Sequence, residues 1–277
     1  MPVLNLYPHG ATAGCAPGRN DHTRAKRGEV VGWSQSSIRS NTRFLYSVDE
    51  SGLTGDGFAL TLTLRLCPLR SEEWQRLINT YLQRLYRLDM IRSHTLTEWQ
   101  RRGVPHLHGA VWFPESRHVG PLDLIQAWLK VADAYHPSPL SQTAKAIDNA
   151  VGWFQYVSKH AARGLYHYQR SNANIPSGWQ KTGRMWSKRG DWPTREAIRI
   201  ELDHRGFHRY RRLVRAYRLA DARASGNAKR ITSARRMLKN PEPSQSTVRG
   251  VSEWIELADT LRLLAVTHEL GHSIKST

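Results

Sequence analysis

The sequence predicts an α+β protein, and three stretches carry that prediction. FALTLTLRL (58–66) alternates strictly: Phe58, Leu60, Leu62, Leu64 and Leu66 point one way, and Ala59, Thr61, Thr63 and Arg65 the other. That is the period of a half-buried strand. Residues 72–88 place Trp74, Leu77, Ile78, Tyr81, Leu82, Leu85 and Leu88 at helical spacing, with Ser71 as N-cap and Glu72 and Glu73 in the first turn. IRSHTLTEW (91–99) and HLHGAVWF (106–113) read as two strands around QRRGVP, an antiparallel hairpin.

The remaining elements follow in chain order. Residues 1–32 are rich in Gly, Ala, Pro and Asn, lack periodicity, and read as a flexible leader. A short helix over about 36–48 brings Ile38, Leu45 and Val48 near one face, and DESGLTGDG (49–57) is a loop. Pro68 ends the first strand. Helices are expected over about 121–134 and 142–163, the second closed by Gly164. GWQKTGRMWSKRGDWP (178–193) is loop-like, basic and Trp-rich. Residues 201–249 have helical spacing and a break at Pro241 and Pro243. A last helix, about 251–270, sets Trp254, Leu257, Leu261, Leu264 and Ala265 on one face. The expected organisation is thus a leader (1–32), one domain (33–200) and a basic helical C-terminal region (201–277).

Composition bounds the function. In 277 residues, 41 Lys and Arg oppose 23 Asp and Glu, a net charge of +18. Such a bias repels itself in a compact fold and points to a polyanionic partner, nucleic acid first and an anionic membrane surface second. No run approaches 18 apolar residues, so no membrane span is expected. MPVLNLYPHGATAG lacks the basic and apolar regions of a signal peptide. Cys15 and Cys67 cannot build a disulfide framework and fit a reducing cytoplasm. No phosphate-binding G-x-x-x-x-G-K-[ST] loop occurs, so no helicase is built in.

Two constellations could carry chemistry. In a strand, His106 and His108 share a face. If the hairpin turns about Arg102, Glu98 lies opposite His106, and opposed residues of an antiparallel pair also share a face. Two imidazoles and one carboxylate then converge, a set that can hold a divalent metal and leave positions open for water or a phosphate oxygen. On the helix expected at 142–163, Tyr156 and Lys159 stand three residues apart on one face, extended by His160 and Arg163. A phenol is a poor nucleophile at neutral pH, and a neighbouring ammonium favours its ionised form and neutralises phosphate charge. Taken alone, either set is also compatible with ordinary strand and helix faces.

The order FALTLTL, then E-W-Q-R-R-G-V-P-H-L-H-G-A-V-W, then Y-V-S-K-H resembles the HUH endonucleases that initiate rolling-circle replication, the single-tyrosine initiators of small plasmids and filamentous phages above all. FALTLTL matches the family's first motif, Pro105 to Trp112 its metal-binding motif, and Tyr156 to Lys159 its nucleophile motif. GRMWSKRGDWP looks like a segment these initiators carry after the nucleophile, which makes Arg184, Lys188 and Arg189, with Arg163, expected DNA contacts. Four residues before Tyr156 stands Gly152, so one nucleophile is expected rather than two, and Tyr166 and Tyr168 fall past the helix end. The resemblance implies a central antiparallel sheet with flanking helices. It implies Mg²⁺ or Mn²⁺ on Glu98, His106 and His108, and attack by Tyr156 with Lys159 assisting. The product is a 5′-phosphotyrosine and a free 3′-OH. Origin DNA, cut as a single strand or hairpin, and a host helicase and polymerase in a bacterial cytoplasm are the expected partners. A relaxase, a transposase or a non-enzymatic DNA-binding protein are the alternatives.

Two further segments compete for attention. HRGFHRYRRLVRAYRLADARASGNAKR (204–230) interleaves Phe207, Tyr210 and Tyr217 with arginines, and residues 201–249 carry thirteen Lys and Arg against four Asp and Glu. Arg grips phosphates and both groups stack on bases, so Arg211, Arg212, Arg215 and Arg218 are expected on nucleic acid. His268-Glu269-Leu270-Gly271-His272 matches the zinc-protease H-E-x-x-H. Such a site needs a third ligand, usually downstream, and only five residues follow, so the spacing is read as fortuitous.

Overall fold

The computed structural model describes residues 1–15, 28–162, 168–239, 251–269 and 274–276. The chain forms two compact units, Met1–Arg24 with Tyr46–Val48 and Thr194–Thr277, and Ala25–Leu45 with Asp49–Pro193. Both are α+β with antiparallel five-stranded sheets, the class expected.

The unit of 25–45 and 49–193 holds α1 (Gln35–Ser47) up to Leu45, β3 (Asp56–Thr63), α2 (Ser71–Tyr86), β4 (Arg92–Trp99), β5 (Pro105–Phe113), α3 (Pro121–Val131), β6 (Thr143–Ala146), α4 (Ala150–Ala162) and β7 (Trp186–Gly190). Its strand order is β6-β3-β5-β4-β7, so β5 and its neighbours β3 and β4 are the centre. The β4–β5 hairpin turns at Gln100–Val104, where Gln100 N–H donates to the Val104 carbonyl at 2.9 Å. Gly103 takes a φ of +73°, a left-handed position that glycine adopts without penalty. This turn fixes the register, and Glu98 pairs with His106 and Trp99 with Pro105, as expected.

Alternation along the strands sorts the two faces. Leu60, Leu62, Leu107, Val111 and Phe113 are buried on one. There α2 and α3 cover them: Trp74 donates its indole N–H to Thr97 Oγ1 at 3.0 Å, and Trp128 stacks edge-on to Trp74 and Tyr81. Each such aliphatic side chain contributes about 1.5–3 kcal/mol on burial. The opposite face carries Glu98, His106, His108, His94 and Trp112. Helix α1 reaches it through Phe44, 5.5 Å from the His94 ring, and α4 through Phe154, 6.4 Å from Trp112.

Three expectations here are corrected. The helix read over 142–163 begins only at Ala150, because Thr143–Ala146 pairs with β3, and Asn149 starts the helix by accepting the Gly152 N–H at 2.8 Å. The loop-like 178–193 contains β7, which pairs with β4 from Leu96 to Arg92. Ser71 is the first helical residue rather than the cap; Arg70 holds that place without a side-chain bond.

The other unit contains β1 (Pro2–Tyr7), β2 (Gly10–Cys15), β8 (Ile198–Leu202), α5 (His204–Ala224), α6 (Ala228–Lys239), β9 (Val251–Trp254), α7 (Leu257–Glu269) and β10 (Ile274–Ser276), with strand order β10-β8-β1-β2-β9. Residues 2–15, read as part of a flexible leader, are two of its strands, and β1 is the central one. Residues 251–254, read as the start of a helix, are β9 on β2. Leu4, Leu6, Ala11, Ala13, Ile200 and Leu202 face Phe207, Tyr210 and Val214 of α5 and Leu264 of α7, one apolar core. The C-terminal region is therefore helical and basic but built on a sheet to which the N-terminus supplies two of the five strands.

Candidate metal centre and nucleophile helix

The strands bring Glu98, His106 and His108 together as expected. All three are buried, and one ligand atom from each lies within 4.8 Å of the other two. The imidazoles meet Nε2 to Nε2 at 2.9 Å, and His108 Nε2 is 3.6 Å from Glu98 Oε2. Only one proton fits between two nitrogens so close, so at least one Nε2 presents its lone pair. His108 Nδ1 is 3.0 Å from Thr61 Oγ1 on the neighbouring strand. A ring donating Nδ1–H there keeps Nε2 for a metal, the usual outer support of a ligating histidine. Burial, and then the positive charge of Arg170, push the His108 pKa down to about 4. The ring is thus neutral at pH 7, the form that binds metals.

Sequence reasoning missed Arg170. This arginine is wholly buried and donates Nε–H to Glu98 Oε1 at 3.1 Å and Nη2–H to the Val157 carbonyl at 3.4 Å. Its guanidinium lies 4.3 Å from the centroid of the Trp33 ring. Burial lowers its pKa, and the Glu98 carboxylate opposes that shift. Nothing in Tyr-Gln-Arg-Ser-Asn distinguishes a buried arginine from a surface one. The same holds for Trp33, whose indole N–H donates to the Thr97 carbonyl at 2.9 Å.

The donor set fits a divalent cation. Glu98 Oε2 accepts no hydrogen bond although it is buried, and it lies 3.6 Å from His108 Nε2. Two nitrogens and one carboxylate oxygen leave room for further ligands. Among the described residues no other group of three His, Cys, Asp or Glu converges in this way. His268 and Glu269 close α7, and His272 lies outside the described residues.

Tyr156 is on α4, 46% exposed and stacked on Trp153 at 5.6 Å, while its neighbours Phe154 and Val157 are buried. Lys159 is on the same helix, one turn on. Arg163 and Tyr166 lie outside the described residues. Tyr168 is past the helix, with Arg101 5.3 Å over its ring. Arg184, Lys188 and Arg189 are exposed, with Lys188 over Phe44 and Arg189 donating to Asn79. On α5, Arg212 is exposed, but Arg211 is buried, 5.6 Å over Phe207, and is corrected from a DNA contact to a core residue. Arg215 and Arg218 are partly buried.

Fold and site together define an α+β protein with a buried two-histidine, one-carboxylate centre on an antiparallel sheet and a tyrosine-bearing helix on the same face. Residues 57–161, which span both, match the family model described as replication-associated protein ORF2/G2P. Over its full length the chain is 49% identical to a Xylella fastidiosa (strain 9a5c) protein provisionally named a replication protein, covering all of it. It is 46% identical to the replication-associated protein G2P of Pseudomonas phage Pf3, over 98% of this chain and 99% of that one. The chain belongs to this family of replication-associated proteins. No solved structure matches it. No helix among the described residues is long and apolar enough to cross a membrane.

Proposed function

We propose that this chain initiates rolling-circle replication by nicking one strand of origin DNA through a phosphotyrosine. The observation that carries the reading is the buried Glu98–His106–His108 cluster on the sheet face against which the Tyr156 helix packs. Tyr156 loses its phenolic proton, and its oxygen attacks the scissile phosphorus. The phosphorus–O3′ bond breaks, and the leaving oxygen takes a proton to become the 3′-OH that primes synthesis. One phosphodiester replaces another, so the step is near thermoneutral and the strand can be rejoined. A Mg²⁺ or Mn²⁺ held by Glu98, His106 and His108 would polarise the phosphate and screen its charge. Lys159, one turn from Tyr156, would neutralise further phosphate charge. The exposed arginines of α5 would hold flanking DNA, and unwinding would fall to a host helicase and extension to a host polymerase.

The test is incubation with circular single-stranded DNA and Mn²⁺, read as a shifted protein band on a denaturing gel. Tyr156→Phe removes one oxygen, so it should bind DNA normally and form no adduct. His106→Ala and His108→Ala should each cripple nicking and leave DNA affinity, which comes from contacts to phosphates. Undiminished adduct in Tyr156→Phe, with loss in Tyr168→Phe, would move the nucleophile. Absence of any adduct from the wild-type chain would leave a DNA-binding protein without this chemistry.

A further inference from the structure

The wholly buried Arg170 sits between the two halves of the centre. Its Nε–H grips Glu98 Oε1, which leaves Oε2 as the oxygen turned toward His108. Its Nη2–H reaches the carbonyl of Val157, the residue after Tyr156. The guanidinium lies against Trp33, and the chain just before Arg170 is held by a bond from Trp99 N–H to the Gln169 carbonyl at 2.8 Å. That bond joins the residue after Glu98 to the residue before Arg170. One rigid fork thus touches the carboxylate of the cluster and the backbone of the nucleophile's helix.

We propose that Arg170 is a positioning residue that fixes Glu98 for the metal and locks the metal centre in register with the Tyr156 helix. It acts through Glu98 and Val157 and touches no substrate. The inference rests on the nicking reading for the register with Tyr156, but not for the effect on metal.

The experiment is a double-mutant cycle on the full chain, comparing wild type, Glu98→Gln, Arg170→Gln and the double variant. One readout is Mn²⁺ binding without DNA, followed by the electron paramagnetic resonance of free Mn²⁺. The other is the single-turnover nicking rate of a short oligonucleotide at saturating metal. Arg170→Gln should lose about 10–100-fold in Mn²⁺ affinity or nicking rate, the usual cost of an outer partner. In Mn²⁺ affinity the double variant should be no worse than Glu98→Gln, because Arg170 acts on the metal through that carboxylate. Arg170→Lys keeps the charge but cannot reach both acceptors as a fork. It should bind Mn²⁺ within about threefold of wild type yet nick at least about tenfold more slowly, with the KM for oligonucleotide unchanged. That variant carries the comparison if Arg170→Gln does not fold. Wild-type nicking by Arg170→Lys, or additive losses of Mn²⁺ affinity in the cycle, would overturn the proposal. Unaltered Mn²⁺ binding in Glu98→Gln and His106→Ala would instead overturn the metal reading beneath it.

Discussion

His94 and His108 stand on the same sheet face, yet only one belongs to the cluster. His94 is wholly buried, its Nε2–H donates to Asn41 Oδ1 at 2.7 Å, and its ring packs against Phe44 and Trp186. Desolvation, then the Arg170 charge, push its pKa down to about 3. A base whose folded pKa lies below its unfolded value of about 6.5 favours the unfolded chain once that chain protonates. The stability it preserves is therefore complete above about pH 6.5 and lost as pH falls from there toward 3, at about 1.4 kcal/mol per pH unit for one group. The urea midpoint of the wild type should drop between pH 7 and pH 5. His94→Gln, which does not titrate, should start lower at pH 7 and drop less. An equal drop in both proteins would assign the acid sensitivity to other groups.

Among the elements, the hairpin was legible because its cause is local. A turn of known length and a period of two place Glu98 opposite His106 whatever surrounds them, and the structure has that pairing. Elements that depend on a distant partner were not. Thr-Ala-Lys-Ala at 143–146 has no apolar alternation of its own and is a strand only because β3 is there to bond it. Arg211 shows the same limit within a helix: among so many arginines, the sequence does not say which one folds inward over Phe207. Knowing the face sharpens the DNA prediction for α5. Arg205, Arg212 and Arg223 are exposed, and spacings of 7 and 11 residues put them on one stripe of the helix. If that stripe follows a DNA backbone, changing all three to Gln should flatten the slope of log affinity against log salt by about two to three units on duplex. Arg211→Ala should leave the slope unchanged and lower the melting temperature, since it strips a buried side chain. An unchanged slope in the triple variant, from titrations at several salt concentrations, would take α5 off the DNA.

On the scale of the whole molecule, the strands of the first fifteen residues and the chain from Thr194 onward belong to one unit, and this was the least legible feature of the chain. PVLNLY does alternate, with Leu4 and Leu6 buried and Asn5 and Tyr7 only partly so. The run is six residues long, however, and its second partner, Ile198–Leu202, lies far along the chain, so no local pattern marks it as central. Closing so long a loop is tolerated because the entropic cost grows only with the logarithm of its length. Once closed, the sheet depends on β1, which bonds β2 on one side and β8 on the other and places Leu4 and Leu6 in the core under α5 and α7. Leu4→Ala should cost about 2–5 kcal/mol, as for a large core side chain replaced by a small one. Removing residues 1–15 takes out two of five strands, which no local relaxation can replace. Backbone amides of β8 and of α5 should then exchange with solvent at rates near those of an unfolded chain. Those of β3, β4 and β5, whose partners all lie within 49–193, should stay protected, and Mn²⁺ should still bind at Glu98, His106 and His108. Hydrogen exchange read peptide by peptide separates the possibilities. Unchanged protection of Ile198–Leu202 in the truncated protein would mean that the N-terminal strands are dispensable, as a leader would be.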